Sequence, residues 1–167
     1  MDTAKHREFD APVAACIAGA VAGAAYLAAQ GGTAALFHGG MAEPLQRIAA
    51  ILMGPDTAPP PTEFTATVAG MGLMIHFALA AVFGRIVGAV AGTRSVGASA
   101  LVGALVGAGI YAANFLVIAP VAFPWFEQSP SMTTLLNHLL FGAVAGGVFA
   151  SLRNARTPSF VSTSARR

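Results

Sequence analysis

Residues 64–91 read FTATVAGMGLMIHFALAAVFGRIVGAVA, and the fold follows from this stretch. Its first twenty-one residues carry no charge, and one imidazole, His76, stands near the middle. A helix rises about 1.5 Å per residue, so ~20 such residues cross the hydrocarbon core of a bilayer. His76, Ala80, Gly84 and Gly88 recur at every fourth position and share one helix face. That face carries one polar group, then small residues that let a second backbone approach closely.

Three more apolar stretches flank it, at residues 11–37, 96–119 and 132–152. In the last, His138, Gly142, Gly146 and Ala150 repeat the spacing of the 64–91 stretch. The first carries Gly19 and Gly23 as a GxxxG pair, with Tyr26 and Gln30 four apart on one face. In the third, Ser99, Gly103, Gly107 and Tyr111 share a face, and Asn114 follows Tyr111 by three residues. The patterns predict an all-α polytopic membrane protein, a four-transmembrane-helix bundle. Its helices are expected to pack through Gly19, Gly23, Gly84, Gly88, Gly103, Gly107, Gly142 and Gly146.

Composition points the same way. Of 167 residues, 56% are hydrophobic and only 10% charged, whereas a soluble domain carries about a quarter charged residues. The length suits one bundle rather than several domains. Lys5 and Arg7 ahead of an apolar run also suit a secretory signal peptide. The run is longer than the apolar core of such a peptide and three spans follow, so an uncleaved first span is expected. The single Cys16 can form no internal disulfide and reads as a small packing residue.

The connection at 38–63 places Leu45, Ile48, Ala49 and Leu52 at helical spacing, with Pro44 suited to a first turn. It predicts a short amphipathic helix lying in the interface or capping the bundle, and Pro59-Pro60-Pro61 predicts a stiff, extended approach to the second span. Thr93-Arg94-Ser95 reads as a tight turn. Pro120, Pro124 and Pro130 bracket the last connection, where Phe123, Trp125 and Phe126 form an aromatic cluster. Trp125 and Phe126 are the expected interfacial anchor. Residues 1–10 and 153–167 are polar and read as a cytoplasmic segment and a flexible basic tail.

Eight of the nine basic residues fall on one side of this layout; only Arg47 joins Glu43, Asp56, Glu63 and Glu127 on the other. The positive-inside rule then places both termini in the cytoplasm. An internal duplication is also suggested. AGAAYLAAQ at 22–30 resembles VGAGIYAAN at 106–114, and the His-xxx-small faces of the second and fourth spans match.

Counted from the outer ends of the spans, Gln30, Asn114 and His138 lie ~10 Å deep, Tyr26 and Tyr111 ~15 Å and His76 ~18 Å. Polar groups at such depth are costly unless they face the interior, a partner or water. Gln30, His76, Tyr111, Asn114 and His138 are therefore expected to converge in the outer half of the bundle. They form either a cavity open to the outside or an interhelical hydrogen-bonding network that fixes helix register. Imidazoles on two helices also suit a b-type haem, His76 and His138 being the ligand pair, although their depths differ by ~8 Å. No local ligand spacing supports a zinc or copper site from His38, His76 and His138. No Asp or Glu lies within a span, so the usual carboxylate of an ion-driven carrier is missing. Arg85 lies near a cytoplasmic end and can snorkel. The chain has no phosphate loop, serine-nucleophile motif or HExxH, and none of its features points to nucleic acid.

RIAAILMGPDTAPPPTEF at 47–64, His76, Phe123-Pro124-Trp125-Phe126 and His138-xx-Phe141-Gly142 carry a resemblance. Over roughly residues 44–150 the chain resembles a group of small bacterial four-helix membrane proteins, some of which bear the label "sodium:proline symporter". This chain is too short for a true symporter of that name. The resemblance implies a bacterial inner membrane and a shared set of outer-side motifs.

The leading expectation is a non-enzymatic membrane protein in the lipid bilayer, acting as an oligomer or as an accessory subunit of a membrane partner. A channel or carrier for a small solute or ion, lined by the polar residues above, is the alternative. A haem-binding electron carrier is a third reading.

Overall fold

A computed structural model of the chain describes residues 10–37, 42–59, 63–92, 94–127 and 131–154. The sequence readings for residues 1–9, His38, Gly39, Gly40, Pro60, Pro61, Thr93, Pro130 and 155–167 lie outside the described residues. Among the described residues the only regular secondary structure is helical, with no strand.

Four helices are long and apolar enough to cross a membrane: α1 (Ala11–Phe37), α3 (Ala66–Ala91), α4 (Val96–Ala122) and α5 (Met132–Asn154). Between α1 and α3 lies the short α2 (Ala42–Met53). Local chemistry sets several ends. Thr65 caps α3 by accepting from the Val68 amide at 3.3 Å, so the helix starts two residues inside the apolar run. Its other end stops at Gly92, whose φ of 61° a β-carbon would strain. The Arg94 guanidinium there donates to the Val90 and Ala91 carbonyls at 2.7 and 2.6 Å. Those carbonyls are otherwise orphaned, and a cation suits the negative end of the helix. Ser95 then caps α4 by accepting from the Ala98 amide.

Two expectations are corrected. The sequence ended the third span at Ala119, ahead of Pro120, but α4 continues to Ala122. Its residues Ala112–Ile118 take π-helical turns, and the Ala119 amide reaches back five residues to the Asn114 carbonyl. The ladder is thus re-registered just before Pro120, which falls in the first turn of the closing Ala119–Ala122 segment, where a missing N–H costs least. In α2, the spacing placed Leu52 on one apolar face with Leu45, Ile48 and Ala49. Leu52 is 67% exposed, while Gln46 is only 4% exposed alongside the buried Leu45, Ala49 and Ala50. The backbone of Leu45 rests on Gly72 of α3, and the face of α2 that carries Leu52 turns away from that contact.

The bundle is built from two tight pairs. In the first, Gly84 of α3 is so close to α1 that a Cβ there would stand 2.5 Å from Gly19 Cα. Gly23 faces Ala80, and Gly88 faces Ala15 and the Phe149 ring of α5. In the second, Gly103 and Gly142 each abut the other's backbone carbonyl. Gly107 abuts that of His138, and Gly146 that of the fully buried Ser99. All eight glycines singled out in the sequence thus face a helix of the same chain. The outward faces are apolar as well: Leu101, Leu105, Leu116, Val117 and Val121 of α4 are each at least 60% exposed.

Candidate functional site

Polar side chains gather towards the end of the bundle that α2 covers. Tyr26 of α1 lies between the two imidazoles, its ring centroid 5.8 Å from His76 of α3 and 5.2 Å from His138 of α5. Tyr111 of α4 is 5.8 Å from His138, so each tight pair contributes one Tyr–His contact at the same separation. Phe115 closes on His138 edge-on at 5.5 Å.

Backbone carbonyls fix both imidazoles. His76 Nε2 donates to the Gly23 carbonyl at 3.0 Å, across the α1–α3 contact that the small residues bring close. His138 Nδ1 donates to the Thr134 carbonyl one turn earlier at 2.8 Å. A carbonyl only accepts, so these nitrogens carry the protons, and in the neutral rings His76 Nδ1 and His138 Nε2 remain acceptors. A haem held by this pair through His76 Nε2 would require that nitrogen to leave Gly23. Among the described residues no three His, Cys, Asp or Glu side chains come together.

Beside this cluster lies a cleft of about 430 Å³ between α3 and α4. Ile75, Leu79 and Phe83 line it from α3, and Ile110, Phe115 and Ile118 from α4. Ile48 and Ile51 of α2 and Phe123 and Phe126 of the turn after α4 also contribute. Its polar lining groups are Tyr26, His76, Asn114 and His138. A second cavity, also about 430 Å³, lies on the other side of Tyr26, Ile48, Phe115 and Phe126, which line both. This one is polar, with Gln30, Thr33, Glu43, Arg47, Thr134 and Asn137 in its wall.

The five residues expected to converge are therefore divided. His76, Asn114 and His138 face the apolar cleft, Gln30 faces the polar cavity, and Tyr111 packs against His138 without lining either. The structure adds the apolar wall. Ile48 was visible in the pattern of α2 and Phe141 in the His138-xx-Phe141-Gly142 motif, but Phe115 had no signal beyond hydrophobicity. Trp125 and Phe126, read as interfacial anchors, are half-buried and used within the chain. The Trp125 indole N–H donates to the Arg47 carbonyl at 3.1 Å, and the Arg47 guanidinium donates to the Trp125 carbonyl. A salt bridge of 2.6 Å joins Arg47 to Glu43. This clasp ties α2 to the aromatic turn over both cavities. Nothing in the sequence marks it, since its partners are 78 positions apart.

Comparison of the chain with protein families, curated proteins and solved structures returned no match.

Proposed function

We propose that the chain is a four-span integral membrane protein of a bacterial inner membrane, with both termini in the cytoplasm. It binds a small, largely apolar molecule in the α3–α4 cleft and serves as a non-enzymatic binding or carrier protein for it. The cleft carries this reading: its volume lies in the ~300–1,000 Å³ range of small-molecule sites, and a few polar groups interrupt an apolar wall. The exposed leucines and valines of α4 support a lipid surround, because such a face in water would be an aggregation liability. The balance of basic residues supports the orientation. The eight glycines give no argument for a subunit that works by association, since all are used within the chain.

Binding is testable because Trp125 is the only tryptophan and its neighbours Phe123 and Phe126 line the cleft. In phosphatidylcholine nanodiscs, energy transfer from Trp125 to diphenylhexatriene is expected to saturate. Ala119→Phe, which fills the cleft, is expected to weaken the saturable part at least tenfold. Transfer that only rises linearly, equally for both proteins, reflects partition into lipid and would reject the reading.

A further inference from the structure

We infer that the occupant is an amphiphile with one apolar tail and an uncharged, hydroxyl-bearing headgroup of the glycerol type. The inference rests on the proposed cleft and specifies its ligand. The two cavities share four wall residues, one compartment being apolar and the other polar. A molecule reaching across Tyr26 and Phe115 would place its tail among Ile75, Leu79 and Phe83 and its head beside Gln30.

Charge and hydrogen bonding select the head. The polar cavity contains one cation and one anion, Arg47 and Glu43, and they neutralise each other at 2.6 Å. Arg47 is engaged further by the Trp125 carbonyl. A charged headgroup would bring an uncompensated charge into this cavity, or would have to break that pair. Gln30 Oε1 is the only buried side-chain nitrogen or oxygen among the described residues that lacks a hydrogen-bond partner. It is an acceptor, and a buried acceptor left without a donor is costly. A hydroxyl headgroup supplies that donor once the amide of Gln30, which lines this cavity, turns towards it, and it brings no charge. Thr33, by contrast, already donates its hydroxyl to the Ala29 carbonyl. Gln30 is thus the group that distinguishes a hydroxyl head from a bare hydrocarbon end.

The test uses four probes with the same eighteen-carbon tail: octadecyl glycerol ether, octadecyl sulfate, octadecyltrimethylammonium and octadecane. Each competes with diphenylhexatriene for the full-length protein in phosphatidylcholine nanodiscs, read by energy transfer from Trp125. The glycerol ether is expected to displace the dye at concentrations at least tenfold below the other three. Gln30→Leu, close in size and unable to accept, is expected to bring it level with octadecane and leave the other probes unchanged. A charged probe that competes as well as the glycerol ether overturns the inference, as does a preference that survives Gln30→Leu. The wild-type ranking stands as a test even if the variant fails to fold. Equal displacement by all four probes leaves the cleft a binding site and removes only the headgroup assignment. The absence of any saturable dye signal removes both.

Discussion

Gly142→Ala tests the packing of α4 on α5 most directly. A methyl at Gly142 would stand 2.7 Å from the carbonyl carbon of Gly103 and 3.0 Å from the amide nitrogen of Gly107, where ordinary contact begins at 3.4 Å. Both neighbours are backbone and the Gly103 carbonyl oxygen lies closer still, so relief requires the helices to separate by at least about 0.7 Å at this point. A gap of ~0.5–1 Å forfeits a quarter to a half of each van der Waals attraction along a seam. Overpacking of this kind costs ~1–3 kcal/mol. The matched control is Gly109→Ala in α4, where an added Cβ meets nothing within 4 Å. There alanine should stabilise the helix by ~0.5–1 kcal/mol through backbone entropy alone. The entropic gain is common to both sites, so the difference between the two variants isolates the steric cost, ~1–3 kcal/mol. Reversible unfolding in mixed micelles, followed by Trp125 emission, would measure it. Shifts of equal sign and size at the two sites would refute the close approach, whatever their direction.

The same geometry sets three further outcomes. His76→Phe keeps the ring but removes the donor to Gly23. It should destabilise the α1–α3 pair by about 0.6 kcal/mol and at most ~1.7, the range of membrane hydrogen bonds, in the same unfolding assay. Trp125→Phe removes one half of the clasp and should cost ~1 kcal/mol, appearing as faster amide exchange in α2 with α5 unchanged; equal acceleration in both helices would count against a local clasp. In a Cys16→Ser background, a cysteine at Glu127 should react with an impermeant maleimide added outside intact cells, and one at Ser95 only after lysis. The reverse pattern would invert the proposed topology.

The helices were legible in the sequence because long uncharged runs have the length and apolarity of a bilayer-crossing helix and four-residue repeats of small residues mark close backbones. The Ser99, Gly103, Gly107 face meets the Gly142, Gly146 face because no other surface on these helices lets backbones approach so closely. The reach of α4 past Pro120 was not legible. Proline reads as a stop, and its accommodation depends on a backbone register that no side chain announces. Depth counting put His76, Asn114 and His138 in the same half of the bundle, His76 ~8 Å deeper than the other two, but could not give their rotation about each helix axis. The division of Gln30 from the other polar groups therefore emerges only in three dimensions. The burial of Gln46 escaped for a related reason, because a pattern of apolar residues shows that α2 has two faces and not which one lies on Gly72.

The π-turns of α4 bear on how such a chain can vary in length. A helix that gains or loses one residue normally rotates everything beyond by ~100°, which would carry Ile118 and Ala119 off the cleft wall. Residues 112–118 already hold one residue more per hydrogen-bonded loop than an α-helix, so a single deletion there can be absorbed by reverting to α geometry. The segment Val96–Tyr111, locked against α5 by its glycines, has no such slack. Homologous chains should therefore tolerate one-residue gaps within 112–118 and none between Ser99 and Gly107.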